Sequence, residues 1–329
     1  MVLALDDKWV WDSWYVEEGG LWHCFFLQAP KSLGDPELRH WHVSHGHATS
    51  RDLRSWTQLG TCFGPAEGSA WDDYTTWTGS VVQGDDGTWH LFYTGTSRAD
   101  NGKHQKLGHA VSQDLHTWQR VGDGLILDRD ERYEDYCPER WHDRAFRDPW
   151  VMPDPDGSGW LLYFTARDPN ADNTLEAGAI GFATSPDLYS WSLQDPVFSG
   201  GFGELEVPQV FERNGHWYCL FSTWDRFCSE RAEAIIGKPA TGTHYLIADG
   251  PRGPWRIAPG PMLDAADPGR RYAARIIDHE GQMKLMGFLM RNRQTGVFAG
   301  TIDDPVVVMA TPDNHLVLAG TALEEGTDG

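Results

Sequence analysis

Hydrophobic positions in this 329-residue chain gather into short apolar and aromatic runs, each opened by a glycine turn. The runs are Gly20–Leu27, Gly87–Thr94, Gly159–Thr165, Gly215–Ser222 and Gly281–Leu289. Segments of this length, rich in Trp, Tyr, Phe and Leu and bounded by turn residues, predict strands, and few windows carry the helical period. After each of the first four runs a second pattern returns. It reads ATSRDLRSW at Ala48–Trp56, AVSQDLHTW at Ala110–Trp118 and ATSPDLYSW at Ala183–Trp191, with a worn copy at Ala248–Trp255. A repeating unit of roughly 60 residues that contains several strands is the size of a propeller blade. Five such units use nearly the whole chain. The expected fold is therefore all-β, a single-domain five-bladed β-propeller over residues 1–323 with a short acidic tail at 324–329. A pair of β-sandwiches does not explain the period.

The first strand of each propeller blade lines the central channel. Counting back ten to twelve residues from each glycine-turn strand reaches Asp12, Gly79, Asp148, Glu206 and Ala274. Three of these are carboxylates from distant parts of the chain, so they are expected to meet at one mouth of the channel. Each alone reads as a turn or surface acid; their common register is what favours a site. Like charges confined together raise the pKa of at least one of them. Glycoside hydrolysis needs that combination of a proton-donating acid and an ionised carboxylate. Asp12 also lies among Trp9, Trp11 and Trp14, whose flat rings suit the apolar face of a sugar. Arg147, beside Asp148, is placed to keep that acid ionised. Glu204, two residues before Glu206, faces the same side if one strand carries both, and its charge favours a protonated Glu206.

Four segments then resemble known motifs in order along the chain. Val10-Trp11-Asp12-Ser13-Trp14, Trp77-Thr78-Gly79-Ser80, Phe146-Arg147-Asp148-Pro149 and Glu204-Leu205-Glu206-Val207 are similar to those of the levansucrase and invertase families. The resemblance implies a retaining glycoside hydrolase acting on β-fructofuranosides such as sucrose, mainly hydrolytic with some fructosyl transfer. It implies Asp12 as nucleophile, Asp148 as transition-state stabiliser and Glu206 as acid/base. It further implies sugar contacts from Trp11, Trp77, Thr78, Arg147, Glu204, Arg226 and Tyr272. Levansucrases usually carry Ser in place of Thr78 and Arg in place of Val207, and the second change removes donors from the acceptor side. Two other readings stay open: an inverting arabinan- or xylan-type glycosidase on the same fold, and a non-catalytic sugar-binding propeller.

Composition narrows the partners. A net charge of −21 disfavours a phosphate-backbone ligand, so no nucleic acid is expected and a small carbohydrate fits. No apolar run approaches membrane length, and the N-terminus lacks the basic and apolar regions of a secretion signal. Five widely spaced cysteines suggest neither a disulfide framework nor a zinc site, which fits a reduced, cytoplasmic setting. No cofactor and no metal are expected. His42, His45 and His47 are close in sequence but lack an evident third ligand. The stretches Asp128–Arg144 and Thr61–Tyr74 are candidate walls of a leaving-group subsite, with Asp72 and Asp73 as conceivable sugar contacts.

Overall fold

The computed structural model describes residues 2–157, 159–265, 270–292 and 295–319; the acidic tail lies outside them. Five antiparallel sheets follow one another along the chain. The first holds β1 (Lys8–Glu18), β2 (Leu21–Pro30), β3 (Ser44–Ser50) and β4 (Thr57–Phe63), and the second β5 (Thr75–Gln83), β6 (Trp89–Thr96), β7 (Lys106–Ser112) and β8 (Gln119–Leu127). The third holds β9 (Arg147–Pro153), β10 (Trp160–Arg167), β11 (Gly178–Ser185), β12 (Ser192–Leu193) and β13 (Phe198–Ser199). The fourth holds β14 (Glu206–Arg213), β15 (His216–Thr223), β16 (Gly242–Ala248), β17 (Arg256–Ile257) and β18 (Asp264–Ala265). The fifth holds β19 (Arg271–His279), β20 (Gln282–Arg291), β21 (Phe298–Ile302), β22 (Val306–Ala310) and β23 (Leu316–Leu318).

These are the five blades of a propeller, with the expected glycine-turn runs forming the second strand of each. Blades one and two each hold four strands. In blades three and four the outermost strand is split in two, and in blade five the third strand is split. Proline lies in each gap, at Pro196, Pro259 and Pro261, and Pro305. A residue without an N–H cannot continue the ladder.

Side chains staple neighbouring first strands together around the channel. The Val151 N–H donates to Ser80 Oγ at 3.1 Å, and the Trp150 indole donates to the Val210 carbonyl at 2.9 Å. The Gln209 amide exchanges two bonds with the Ile276 backbone, at 2.6 and 2.7 Å. The ring is closed by the N-terminal segment: Leu3 and Ile302 exchange backbone hydrogen bonds of 3.0 Å. The apolar core lies between the blades, with Trp11, Trp14, Phe25, Phe92, Phe164 and Phe221 nearly or fully buried.

The histidines are packing residues. His45 Nε2 donates to the Thr76 carbonyl (3.2 Å), and the ring meets Trp14 edge-on. His47 instead bridges His23 at 2.9 Å and His116 at 3.1 Å through different ring nitrogens, an arrangement that diverges where a metal needs convergence. Blade two repeats the arrangement with His90 on His109 at 2.8 Å and Tyr189 against both.

Candidate active site

Every first strand is interrupted at the channel mouth by a β-bulge. The last paired residue before each bulge is Trp11, Trp77, Arg147, Glu206 and Tyr272 in blades one to five. The bulged residues that follow are Asp12, Thr78, Asp148, Val207 and Ala273. Four of them have left-handed backbone, with φ of 31° at Asp12, 59° at Asp148, 54° at Val207 and 47° at Ala273. Such a φ is rare for non-glycine residues, and at Val207 the branched side chain makes it a true outlier. The bulge re-aims the strand, so that two successive side chains reach the channel mouth where regular alternation would allow one. At Gly79 the requirement is space: a Cβ would come 2.1 Å from the Phe92 carbonyl oxygen.

This register corrects the count made on the sequence. Glu206 is not level with Asp12 and Asp148; it stands one residue earlier, level with Trp11, Trp77, Arg147 and Tyr272. The slip arises because the turns between first and second strands differ in length: two residues separate Glu18 from Leu21 and Arg213 from His216, five separate Gln83 from Trp89, and six separate Pro153 from Trp160, so a count back from the second strand does not reach one level. Glu204 likewise precedes β14, so no shared strand face links it to Glu206.

The three carboxylates nevertheless line one cavity of about 870 Å³, together with Trp11, Trp77, Thr78, Arg147, Glu204, Arg226 and Tyr272. Thr78 Oγ1 donates to Asp12 Oδ2 in a short hydrogen bond. Asp148 accepts from Thr165 Oγ1 at 3.0 Å and from the Val207 N–H at 3.2 Å, while its own N–H donates to Thr94 at 2.8 Å. Arg147 Nη2 donates to Glu206 Oε1 at 2.9 Å and, in a short contact, to Glu204. The same guanidinium lies 3.6 Å from Asp148 and 3.6 Å from Asp143. Tyr272 donates its hydroxyl to the other oxygen of Glu206. Arg226 is set apart at the rim, its guanidinium over Trp224 (4.5 Å) and Phe227 (4.7 Å).

Burial dominates the electrostatics. Asp12 is only partly exposed at the cavity floor. Burial, with the charges of Asp148 and Glu206, pushes it up to about 7 against the pull of the Thr78 hydroxyl and Arg39. Burial raises Asp148 to about 6, with Arg147 opposing. Burial and then the Glu206 charge push Glu204 up to about 8. Arg147 stays charged far above neutrality because four carboxylates outweigh its desolvation. The site can thus hold a proton on one carboxyl while others are ionised, the condition for acid/base work.

Several lining residues were not found by sequence reasoning. Arg39, His40 and Trp41 come from a 3-10 segment, Pro36–Trp41, inserted between β2 and β3. Lys103, Gln105, Trp224, Phe288, Met290 and Phe298 also line the cavity. All of them lie outside the first strands, and no residue pattern set them apart; of these only Phe288 falls within a glycine-turn run, Gly281–Leu289. The long stretch before Arg147 contributes only its end, His142 and Asp143. Asp72 and Asp73 are structural: Asp72 accepts from Tyr93 (2.8 Å) and Arg120 (2.7 Å), and Asp73 from Ser97 (3.1 Å) and the Arg98 N–H (2.8 Å).

The fold and the carboxylate ring together define the five-bladed propeller class of glycoside hydrolases. The chain belongs to glycosyl hydrolases family 32, whose N-terminal domain model matches residues 13–297. An invertase of Kluyveromyces lactis is 25% identical over 236 residues, 62% of this chain and 33% of that protein. An inulosucrase of Lactobacillus johnsonii is 24% identical over 57% of this chain and 24% of its own length. The chain thus spans a third or less of these curated relatives. An inulosucrase of Halalkalicoccus jeotgali bound to kestose superposes with a TM-score of 0.78 at 26% identity, covering 96% of this chain and 88% of that one. Bacillus subtilis levansucrase superposes with a TM-score of 0.75 at 18% identity, covering 96% and 87%, a likeness of fold.

Proposed function

We propose that the protein cleaves β-fructofuranosides, sucrose and short fructo-oligosaccharides among them, by a retaining mechanism with Asp12 as nucleophile and Glu206 as acid/base. The observation that carries the reading is the convergence of Asp12, Asp148 and Glu206 in one cavity, with a separate partner for each. The family match and the kestose-bound inulosucrase favour a fructoside over an arabinan. Trp11 and Trp77 offer apolar faces to the sugar. Asp12 attacks the anomeric carbon as Glu206 protonates the departing oxygen. Water, deprotonated by Glu206, then releases the fructosyl group with retained configuration. Asp148, fixed by Thr165 and the Val207 N–H, faces the positive charge that develops on the ring and binds it more tightly than the ground state.

Arg147 and Tyr272 hold both oxygens of Glu206 and so fix its direction. Glu204, on the same guanidinium, is pushed up by burial and by the Glu206 charge and so takes up a proton readily. Val207 uses its N–H on Asp148 and its side chain is buried. It brings no donor to an acceptor sugar, which favours water and short transfer products over polymer. Incubation with sucrose and with kestose, followed by product chromatography, tests the reading. Free fructose with minor transfer products is expected. Long polymer overturns the hydrolytic preference, and no cleavage of any fructoside overturns the substrate class.

A further inference from the structure

Where a bulge takes residues out of the ladder, their carbonyls need other partners. In blade four the residues between the paired Glu206 and Gln209 are Val207 and Pro208. Both carbonyls are met by one side chain of the next blade. Arg275 Nη1 donates to Val207 at 3.2 Å and, in a short contact, to Pro208. Blade two meets the same need within itself, where Thr94 Oγ1 donates to the bulged Thr78 carbonyl at 3.1 Å. Arg275 is the first paired residue after the bulge of β19, opposite Met286. Its neighbour Ile276 is locked to Gln209 by two amide bonds, which fixes the reach from β19 to the bulge of β14. The guanidinium also stands 5.1 Å over the Trp150 ring of β9. One side chain thus joins the first strands of blades three, four and five.

Stability alone does not account for it. Arg275 is 1% exposed, and its Nε and Nη2 are buried with no hydrogen-bond partner among the described residues. A buried guanidinium with donors unused costs folding free energy. Burial pushes its pKa down to about 10, with the charges of Asp148 and Asp12 opposing, so it stays a cation near neutrality. A cation is the stronger donor to a carbonyl. What these bonds hold is the backbone of Val207, whose φ of 54° a branched side chain rarely adopts. In that conformation the Val207 N–H lies 3.2 Å from Asp148 Oδ2 and 3.2 Å from Thr165 Oγ1. Thr165 Oγ1 in turn reaches Asp148 at 3.0 Å. The path from Arg275 to Asp148 is therefore two hydrogen bonds through one strained residue, which is also the next residue after Glu206.

We infer that Arg275 is a positioning residue for the cleavage reaction: by holding the Val207 and Pro208 carbonyls it fixes the left-handed conformation of Val207 that aims its N–H at Asp148. The inference rests on the fructoside reading proposed for this site. The test is kcat and KM on sucrose for the parent enzyme, Arg275→Met and Arg275→Lys, each repeated in an Asp148→Asn background. Hydrogen exchange at the Val207 N–H is followed in the same proteins. Asp148 acts chiefly on the transition state, so Arg275→Met lowers kcat about 10–100-fold and changes KM by less than about twofold. Arg275→Lys, which keeps a cationic donor, restores most of the lost kcat. With Asp148→Asn the carboxylate that Val207 steadies is gone, and Arg275→Met then changes kcat by less than about threefold. Equal losses in the two backgrounds mark a merely structural role and overturn the inference. Exchange at the Val207 N–H quickens about tenfold or more in Arg275→Met; unchanged exchange also overturns it. Should Arg275→Met fail to fold, Arg275→Gln gives the same comparison with a polar side chain. A parent enzyme that cleaves no fructoside sinks the proposed function, and the exchange result still decides the role of Arg275, as it does where Asp148→Asn turns over too slowly to read.

Discussion

Two sets of aspartates recur at fixed points of the blade repeat, and the fold drives them in opposite directions. Asp52, Asp114 and Asp187 sit in the exposed turns of the repeated segment. Each accepts two backbone N–H bonds, as Asp52 does from Arg54 at 2.9 Å and Ser55 at 2.7 Å, and a serine or threonine hydroxyl besides. These donors hold all three carboxyls below the ordinary range. They also support the left-handed Leu53, Leu115 and Leu188 that follow, whose side chains are buried between blades. Asp12 and Asp148 sit at the bulges of first strands, with burial and neighbouring anions pushing them up. The same side chain serves stability where donors outnumber its needs, and reactivity where burial outweighs them. Bulge and turn, rather than residue type, decide which.

The strongest break in this contrast is Asp12→Asn. Turnover on sucrose should fall by on the order of 10⁴-fold or more, since the amide cannot form the covalent intermediate. Stability should move the other way. A folded-state pKa raised to about 7 means the folded protein holds the proton more tightly than the unfolded chain. The ionised carboxylate is therefore a penalty that grows as pH rises through about 7 and is absent at low pH. Allowing for partial exposure to the cavity, the variant should gain about 1–3 kcal/mol at pH 8 and nothing at pH 4. Denaturant unfolding at both pH values checks the sign; a variant less stable at pH 8 contradicts it.

Arg147→Met comes next. It leaves Glu204, Glu206, Asp143 and Asp148 without their shared cation, so a loss of about 3–5 kcal/mol at pH 8 is expected. Acidification, by protonating Glu204 and Asp148, whose pKa values are raised, should recover part of it in the same unfolding assay. Equal losses at pH 8 and pH 5 would show that Arg147 is not a counter-charge.

The histidine stacks sharpen the comparison from the acid side. Burial lowers His47 and His109 to about 3, so both are neutral when folded and take up protons on unfolding. Their contribution is fully present above the unfolded value near 6.5 and is lost as pH falls toward 3. A His47→Phe, His109→Phe variant should show a flatter loss of Tm between pH 6.5 and 4 than the parent. The smallest effect is expected at a turn: Asp187→Ala should cost about 1 kcal/mol by loss of the N–H bonds and leave kcat/KM unchanged.

Much of this contrast was legible in the sequence because a repeat makes position readable. The SxDLxxW turns and the glycine-turn strands repeat, so blade number followed from counting. Asp12, Asp148 and Glu206 were found as recurring acids on first strands. The bulges were not legible. They leave no trace in composition, and turns of two, five, six and two residues between the first two strands of blades one to four shift any count along the chain, so Glu206 stands one residue from its expected level. Arg39 was invisible for another reason. It rides on an insertion between β2 and β3 that occurs outside the repeat, and the Phe298 ring that it faces at 4.1 Å is far away in sequence.

In the proposed reaction Asp12, lifted in pKa by burial yet ionised in attack, takes the fructosyl group. The direct test is intact-protein and peptide mass spectrometry on Glu206→Gln after incubation with an aryl β-fructofuranoside. Its good leaving group departs without help from the acid, and the missing base delays hydrolysis. The protein should gain the mass of one fructosyl residue, mapped to the peptide that contains Asp12 and absent from Asp12→Asn, Glu206→Gln. Aryl alcohol release with the adduct on another residue, or steady turnover with inverted product and no adduct, would contradict the account.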